Sequence, residues 1–363
     1  MKMVIAAGGT GGHLFPGISI AQVFHEWDPK AQILFVVSEK GLEREILEKY
    51  RLPCETLAVG KIKGKGWREK VRTLLSLPQS LAAARRFLKQ VRPDVVFGIG
   101  GYISGPVVLA AVLCGIRRVI LEPNSIPGFT NRILARMVNL IFISFQEASR
   151  FFPVRKTRLV GTPVRREFTE IGRRRQPRGG VFTLLVLGGS QGAAALNRAM
   201  VGLLPALADS GRSFRIIHQT GVTEFPSVQQ AYAKQAIPHT VSPFIDDMAE
   251  AYRETDLLIS RAGASTIAEI IETRTPSILV PFPHATDDHQ RFNAVSLVQK
   301  DAAEMILNKD LDRLLGKRIF FHEQHREGLK IMSENLAKIQ AVPAAEVIAK
   351  ECLRLVGENV SNT

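Results

Sequence analysis

Val4-Ile5-Ala6-Ala7-Gly8-Gly9-Thr10-Gly11-Gly12-His13 joins a short apolar run to a cluster of glycines. Four consecutive apolar residues suit a strand buried on both faces. The glycines allow a tight turn and a close backbone approach. Ile18 to Trp27 then follows helical spacing, and Gln32 to Val37 is apolar again. A strand, a helix and a second strand in this order form a βαβ unit, whose strands run parallel.

The same pattern recurs along the chain. Asp94-Val95-Val96-Phe97-Gly98 leads into a second glycine turn, and Val119-Ile120-Leu121 and Leu140-Ile141-Phe142-Ile143 add strands with helical segments between them. Beyond Gly161-Thr162-Pro163, the polar, turn-rich Arg173-Arg174-Arg175-Gln176-Pro177-Arg178-Gly179-Gly180 marks a break between folded units. Phe182 to Leu187 then runs into Gly188-Gly189-Ser190-Gln191-Gly192-Ala193, with a helix from Leu196. Arg215-Ile216-Ile217-His218, Leu257-Leu258-Ile259-Ser260 and Ser277 to Pro281 supply further strands. The expected fold is α/β, with two Rossmann-like domains, each a parallel sheet covered by helices. Ligands in such sheets collect at the carboxyl ends of the strands, so the site is expected in a deep cleft between the halves. The expected boundaries are 1–163 and 164–340, with a C-terminal helix in 341–363, from about Pro343 to Val356, that crosses back to the first domain.

A chain of 363 residues is long enough for two cores. Cys54, Cys114 and Cys352 have no paired spacing, so neither a disulfide framework nor a zinc knuckle is implied, and a reducing cytoplasm fits. The apolar start is too short for a signal peptide. Pro106 to Gly115, the most apolar stretch, falls far short of the roughly 20 residues that a spanning helix needs, so any membrane contact is expected to be peripheral. A net charge of +14 implies an anionic partner. Lys61, Lys63, Lys65, Arg68, Lys70 and Arg72, interleaved with Ile62 and Trp67 and followed by Leu74, Leu75, Leu77 and Leu81, suit an anionic membrane surface. Spacing alone fits a solvated basic face equally well. Nucleic acid is not expected, because no RNA-binding motif accompanies the charge.

The glycine loops carry the chemistry. Gly8 to His13 ends a strand and opens a helix, so its backbone N–H groups and the helix dipole face an anion. It lacks the third glycine of a dinucleotide loop and the Gly-Lys-Ser/Thr ending of a Walker loop. Gly98 to Pro106 and Gly188 to Ala193 repeat the arrangement. One such loop is a simple tight turn until proved otherwise; three of them point to a large ligand with more than one phosphate. Ser260 to Glu269 runs again from strand into helix. Glu269 there suits the two hydroxyls of a ribose, with a surface-helix carboxylate as the plain alternative. Pro281 to Gln290 with Asn293, and Leu121 to Gly128 with Asn124, are rich in hydrogen-bonding groups suited to a sugar. Asp310-Leu311-Asp312 lies in a charged helical stretch and reads as surface rather than as a metal site.

Taken in order, Gly8 to Pro16, Gly100 to Pro106, Glu122 to Asn131, Gly161 to Arg165, Gly188 to Ala193, Ser260 to Glu269 and Pro281 to Asn293 resemble the signature set of the MurG family of inverting glycosyltransferases with the GT-B fold. Pro123 and Thr162 depart from the family's usual Gln and Asn. The resemblance implies transfer of N-acetylglucosamine from UDP-N-acetylglucosamine to an undecaprenyl-linked muramyl-pentapeptide, at the cytoplasmic face of the cell membrane, in company with other cell-wall synthesis proteins. It implies donor contacts from Thr10, Gly11, Gly12, Asn124, Arg165, Ser190, Ile245, Ala264, Glu269, His289 and Gln290, with uracil near Phe244 and Ile245. Acceptor contacts would come from Gly9, Gly101, Tyr102 and Ser104. His13 suits the general base, since an imidazole titrates near neutral pH; a capping role and a substitute base at Asp287 are its alternatives. No metal and no cofactor is expected. A diacylglycerol glycosyltransferase, a UDP-sugar 2-epimerase and a non-catalytic nucleotide-sugar-binding protein are the rival readings. The loops of the first half favour the muramyl acceptor.

Overall fold

The computed structural model describes residues 1–8, 11–38, 43–57, 67–174, 180–189, 192–339 and 343–357. They divide into two compact units, Met1–Arg165 with Val342–Thr363, and Arg166–Ala341. The helix Arg166–Arg174 therefore counts with the second unit, where it packs on the helix Ala264–Thr273. Of the polar break, residues 175–179 lie outside the described residues.

The first unit holds β1 (Lys2–Ala7), β2 (Gln32–Ser38), β3 (Cys54–Leu57), β4 (Val95–Gly100), β5 (Arg117–Glu122), β6 (Leu140–Ile143) and β7 (Thr157–Leu159). They form one parallel sheet in the order β3-β2-β1-β4-β5-β6-β7. Side chains alternate across it. Met3, Ile5 and Ala7 of β1 enter one core with Phe35 and Phe97, and Val4 and Ala6 enter the other with Val96 and Ile120. This two-sided burial is why the central strands are continuous apolar runs. The first core is covered by the helices Gly11–Trp27 and Ala344–Val356, through Leu14, Ile18 and Phe24 on one and Ile348, Ala349 and Cys352 on the other. The second is covered by Trp67–Val91 and Gly101–Leu113, which pack on each other.

The second unit holds β8 (Phe182–Leu187), β9 (Phe214–Gln219), β10 (His239–Ser242), β11 (Leu257–Ser260), β12 (Ser277–Leu279) and β13 (Glu304–Met305), also all parallel. Their order is β10-β9-β8-β11-β12-β13. Phe182, Leu184 and Val186 of β8 join Leu196, Met200 and Leu204 of the helix Ala194–Ala208 in its core. Each sheet reverses its winding once, between β1 and β4 in the first and between β8 and β11 in the second. These switch points are where loops part to leave room for a ligand. Among the described residues no helix is long and apolar enough to cross a membrane, and Cys54, Cys114 and Cys352 are free thiols.

Candidate active site

At the first switch point the turns after β1 and β4 are in van der Waals contact. Gly101 has φ of +76°, and a Cβ there would stand 2.0 Å from the Gly8 carbonyl oxygen, so only glycine fits. The His13 ring lies against Gly100, its Nε2 3.0 Å and its Cδ2 2.9 Å from where a Cβ on Gly100 would be. His13 is half-buried, in the first turn of the helix Gly11–Trp27. That helix and Gly101–Leu113 both begin here, and the N–H groups of a first helical turn have no partner within the helix. Gly100, as N-cap, has no side chain to cap the second of them. The switch point thus presents backbone donors, two helix dipoles and an imidazole to one place. Gly11 and Gly12 open the first helix; Gly9 and Thr10 lie outside the described residues.

Ser104 lies beneath this surface. It is fully buried, its hydroxyl donates toward the carbonyls of Gly100 (2.8 Å) and Ala6 (2.9 Å), and it accepts from the Gly100 N–H (3.0 Å). Those bonds tie the ends of β1 and β4 together, which makes it a support of the turn. Tyr102 is half-buried against the second core, with its hydroxyl buried and, among the described residues, without a hydrogen-bond partner.

β5, beside β4, ends in Glu122, and this residue organises the loop that follows. Its Oε1 accepts from the Asn124 N–H (3.0 Å) and the Asn124 Nδ2 (3.2 Å), and its Oε2 from the Gly128 N–H (3.0 Å) and the Asn131 Nδ2 (2.9 Å). Glu122 is 1% exposed. Burial pushes its carboxyl above the usual range, and the four hydrogen bonds pull the other way. Asn124 is thus aimed by a carboxylate two residues away. Glu122→Gln turns one oxygen into a donor facing two N–H groups. The substitution is expected to lower the protein's urea stability by about 2–4 kcal/mol. An unchanged urea midpoint would mean that the loop does not depend on the carboxylate.

Arg165 is 7% exposed, with its guanidinium 4.7 Å above the Phe15 ring and Nη1 donating to the Tyr50 hydroxyl (3.3 Å). Both contacts lie in the first unit, where Phe15 belongs to the glycine-loop helix. Thr162 is buried, 2.6 Å from the Ser144 hydroxyl.

The second unit repeats the plan. A Cβ on Gly192, where φ is +75°, would stand 2.5 Å from the Thr220 carbonyl, so the turn after β8 lies directly on the end of β9. Ser190 lies outside the described residues. The helix Ala264–Thr273 starts at Ala264 with Gly263 as a cap that has no side chain. Glu269 follows on the same helix, half-buried, and the Tyr252 hydroxyl donates to its Oε2 (3.1 Å). Tyr252 is fully buried and packs edge-on against Phe168, so its hydroxyl is a fixed support for the carboxylate. The loop after β12 is bound to its neighbours by Arg261, whose Nη1 donates to the carbonyls of Val280 (3.1 Å) and Pro281 (3.3 Å) and to Asn308 Oδ1 (3.1 Å). Gln290 Oε1 accepts from the Phe282 N–H (2.9 Å). His289 Nδ1 lies 2.7 Å from the Thr286 carbonyl, which can only accept, so Nδ1 carries a proton and donates it there. Ile245 N–H donates to Gln219 Oε1 (3.0 Å). Asp310 pairs with Arg313 at the start of the helix Leu311–Gln324, away from these loops in the sequence.

Two doubly wound parallel sheets, each with glycine-lined helix starts at its switch point, one bearing an imidazole and the other a braced carboxylate, make an α/β arrangement, and similarity to known proteins makes it that of a glycosyltransferase. The glycosyltransferase family 28 N-terminal domain matches residues 3–143 and the family's C-terminal domain matches residues 183–351. Two UDP-N-acetylglucosamine–N-acetylmuramyl-(pentapeptide) pyrophosphoryl-undecaprenol N-acetylglucosamine transferases are similar over nearly the whole chain. That of Myxococcus xanthus is 42% identical over 98% of this chain and 93% of its own length. That of Syntrophus aciditrophicus is 43% identical over 98% of this chain and 99% of its own. The crystal structure of Acinetobacter baumannii MurG superposes with a TM-score of 0.75 at 29% identity, over 98% of this chain and 100% of that one. The chain belongs to glycosyltransferase family 28, in its MurG branch, and has the GT-B fold.

Proposed function

We propose that the protein transfers N-acetylglucosamine from UDP-N-acetylglucosamine to the C4 hydroxyl of undecaprenyl-pyrophosphoryl-N-acetylmuramyl-pentapeptide, with inversion at C1. The observation that carries this reading is the extent of the likeness: relatives bearing that transferase name match through both units, over 98% of the chain. In the proposed reaction the acceptor C4 oxygen attacks C1 as the bond from C1 to the diphosphate oxygen breaks. The hydroxyl proton passes to His13, and the electron pair leaves with UDP. The half-buried His13 imidazole beside Gly100 is a suitable base for that proton. The start of Gly101–Leu113 suits the acceptor's pyrophosphate, with Gly101 and Tyr102, and with Gly9, as its contacts, while Thr10, Gly11 and Gly12 would face the donor.

On the donor side, Glu269 would hold the ribose hydroxyls, the Phe244–Ile245 backbone the uracil, Ser190 and the Gly188–Ala193 turn the diphosphate, and Asn124, Ala264, His289 and Gln290 the sugar. Charge developing on the leaving diphosphate would be stabilised by backbone N–H groups and a helix dipole. Arg165, whose guanidinium lies over the Phe15 ring of the helix that carries His13, would offset the charge of the diphosphate. A peripheral position on the anionic cytoplasmic surface of the membrane is supported by the net charge of +14. The basic stretch 61–66 lies outside the described residues.

Incubating purified protein with labelled UDP-N-acetylglucosamine and the lipid-linked muramyl-pentapeptide, with and without EDTA, tests the reading. Label in the lipid-linked product in both arms is the expected result, and loss with EDTA would overturn the metal-free part. No label in that lipid, with label appearing on diacylglycerol when it is supplied as the acceptor instead, or with the donor sugar epimerised at C2, would move the assignment to the corresponding rival enzyme.

A further inference from the structure

The carboxyl end of β9, His218-Gln219-Thr220, is deeply buried, with exposures of 0%, 3% and 1%. His218 closes a network of side chains beneath it. Asn197, on the helix that follows the Gly188–Ala193 turn, donates through Nδ2 to the Thr220 carbonyl (3.0 Å) and to Glu224 Oε2 (2.6 Å). Both partners accept only, so the amide orientation is determined and Asn197 Oδ1 faces His218 Nε2 (3.0 Å). The ring proton therefore resides on Nε2, and Nδ1 accepts from the Tyr232 hydroxyl (3.0 Å). Every polar atom of the imidazole and the amide is used, and a closed buried network of this kind locks its members in one arrangement. Burial also pulls the His218 pKa down to about 3, so the ring stays neutral through the physiological range.

What this network holds is the strand end between two proposed donor contacts. On one side the Thr220 carbonyl fits against Gly192, and the Gly188 N–H points to the Gln219 carbonyl (3.4 Å). On the other, Gln219 Oε1 accepts from Ile245 N–H (3.0 Å), and Thr220 N–H donates to the Ser242 carbonyl (3.0 Å). We infer that His218, acting through Asn197 and the strand end above it, is a positioning residue that sets the spacing between the diphosphate turn and the uracil-binding stretch. The inference rests on the proposed donor role of the second unit.

Two substitutions at His218 test it. His218→Leu removes both hydrogen bonds, whereas His218→Gln supplies a donor toward Asn197 and an acceptor toward Tyr232. With His218→Leu, the Kd for UDP and the KM for UDP-N-acetylglucosamine are expected to rise about tenfold or more, while kcat and the acceptor KM stay within about threefold of wild type. His218→Gln is expected to restore most of the donor affinity. A purely structural role would lower the thermal midpoint and the active fraction with Kd and donor KM unmoved, and that result would overturn the inference. Should His218→Leu fail to fold, Tyr232→Phe removes one hydroxyl and little volume; a UDP Kd raised about threefold supports the network, and an unchanged one sinks it. Failure of the wild type itself to bind UDP would overturn the donor reading, a result distinct from wild-type binding that the variants leave untouched.

Discussion

Replacing His13 with alanine is expected to slow transfer by about a thousandfold at saturating substrates while leaving the Kd for UDP within about twofold of wild type, the range expected when a general base is removed. His13 sits in the first turn of the helix that opens at the switch point of the first sheet, with its ring against Gly100. A side chain at that place contributes little to the unit's core, which is built from Leu14, Ile18 and Phe24 further along the helix. Its removal should therefore affect chemistry far more than folding. A rapid-quench measurement of a single turnover, with the lipid-linked acceptor and labelled donor, separates the chemical step from product release. A variant that keeps more than about a tenth of the wild-type rate would remove His13 from the role of base and leave it as packing on Gly100.

The second large effect is expected from one added methyl group. Gly101→Ala places a carbon 2.0 Å from the Gly8 carbonyl at a residue whose φ is +76°, so both sterics and backbone conformation oppose it. Neither partner can move cheaply, because the ends of β1 and β4 are bound together by Ser104. A cost of about 3 kcal/mol or more is expected from the overlap and the conformational strain together. Urea unfolding followed by far-UV circular dichroism should show the loss, and transfer should fall with it. Gly202→Ala is the matched control: it lies mid-helix, a Cβ there meets nothing within 4 Å, and it should stabilise by about 0.5–1 kcal/mol. If Gly101→Ala unfolds at the wild-type urea concentration, the two turns do not meet as described.

Much of this architecture is legible in the residues, for a physical reason. Strands at the centre of a parallel sheet are buried on both faces, so β1, β2, β4, β5, β6, β8, β9, β11 and β12 stand out as apolar runs. β3, β7, β10 and β13 do not: they are edge strands, at most half-buried, written as Cys54-Glu55-Thr56-Leu57 or His239-Thr240-Val241-Ser242, and only their neighbours reveal them. The site divides in the same way. Glycine-rich turns at strand ends can be found by inspection, because the constraint they answer is local. The supports cannot. Glu122 bracing Asn124, Tyr252 bracing Glu269 and Asn197 reaching Thr220 each depend on a partner that spacing does not disclose. Ser104 shows the converse, a hydroxyl whose type suggests a ligand and whose bonds all run to backbone beneath the turn.

The helix Ala344–Val356 belongs to the core of the first unit, yet every residue of the second unit precedes it in the chain. A ribosome releases those parts in order. The second unit is complete, and able to close its own core, while the first still exposes the apolar face of Gly11–Trp27 that Ile348, Ala349 and Cys352 will cover. Synthesis therefore finishes the later unit first, and the earlier one waits, open to chaperones or to self-association, until the last helix emerges.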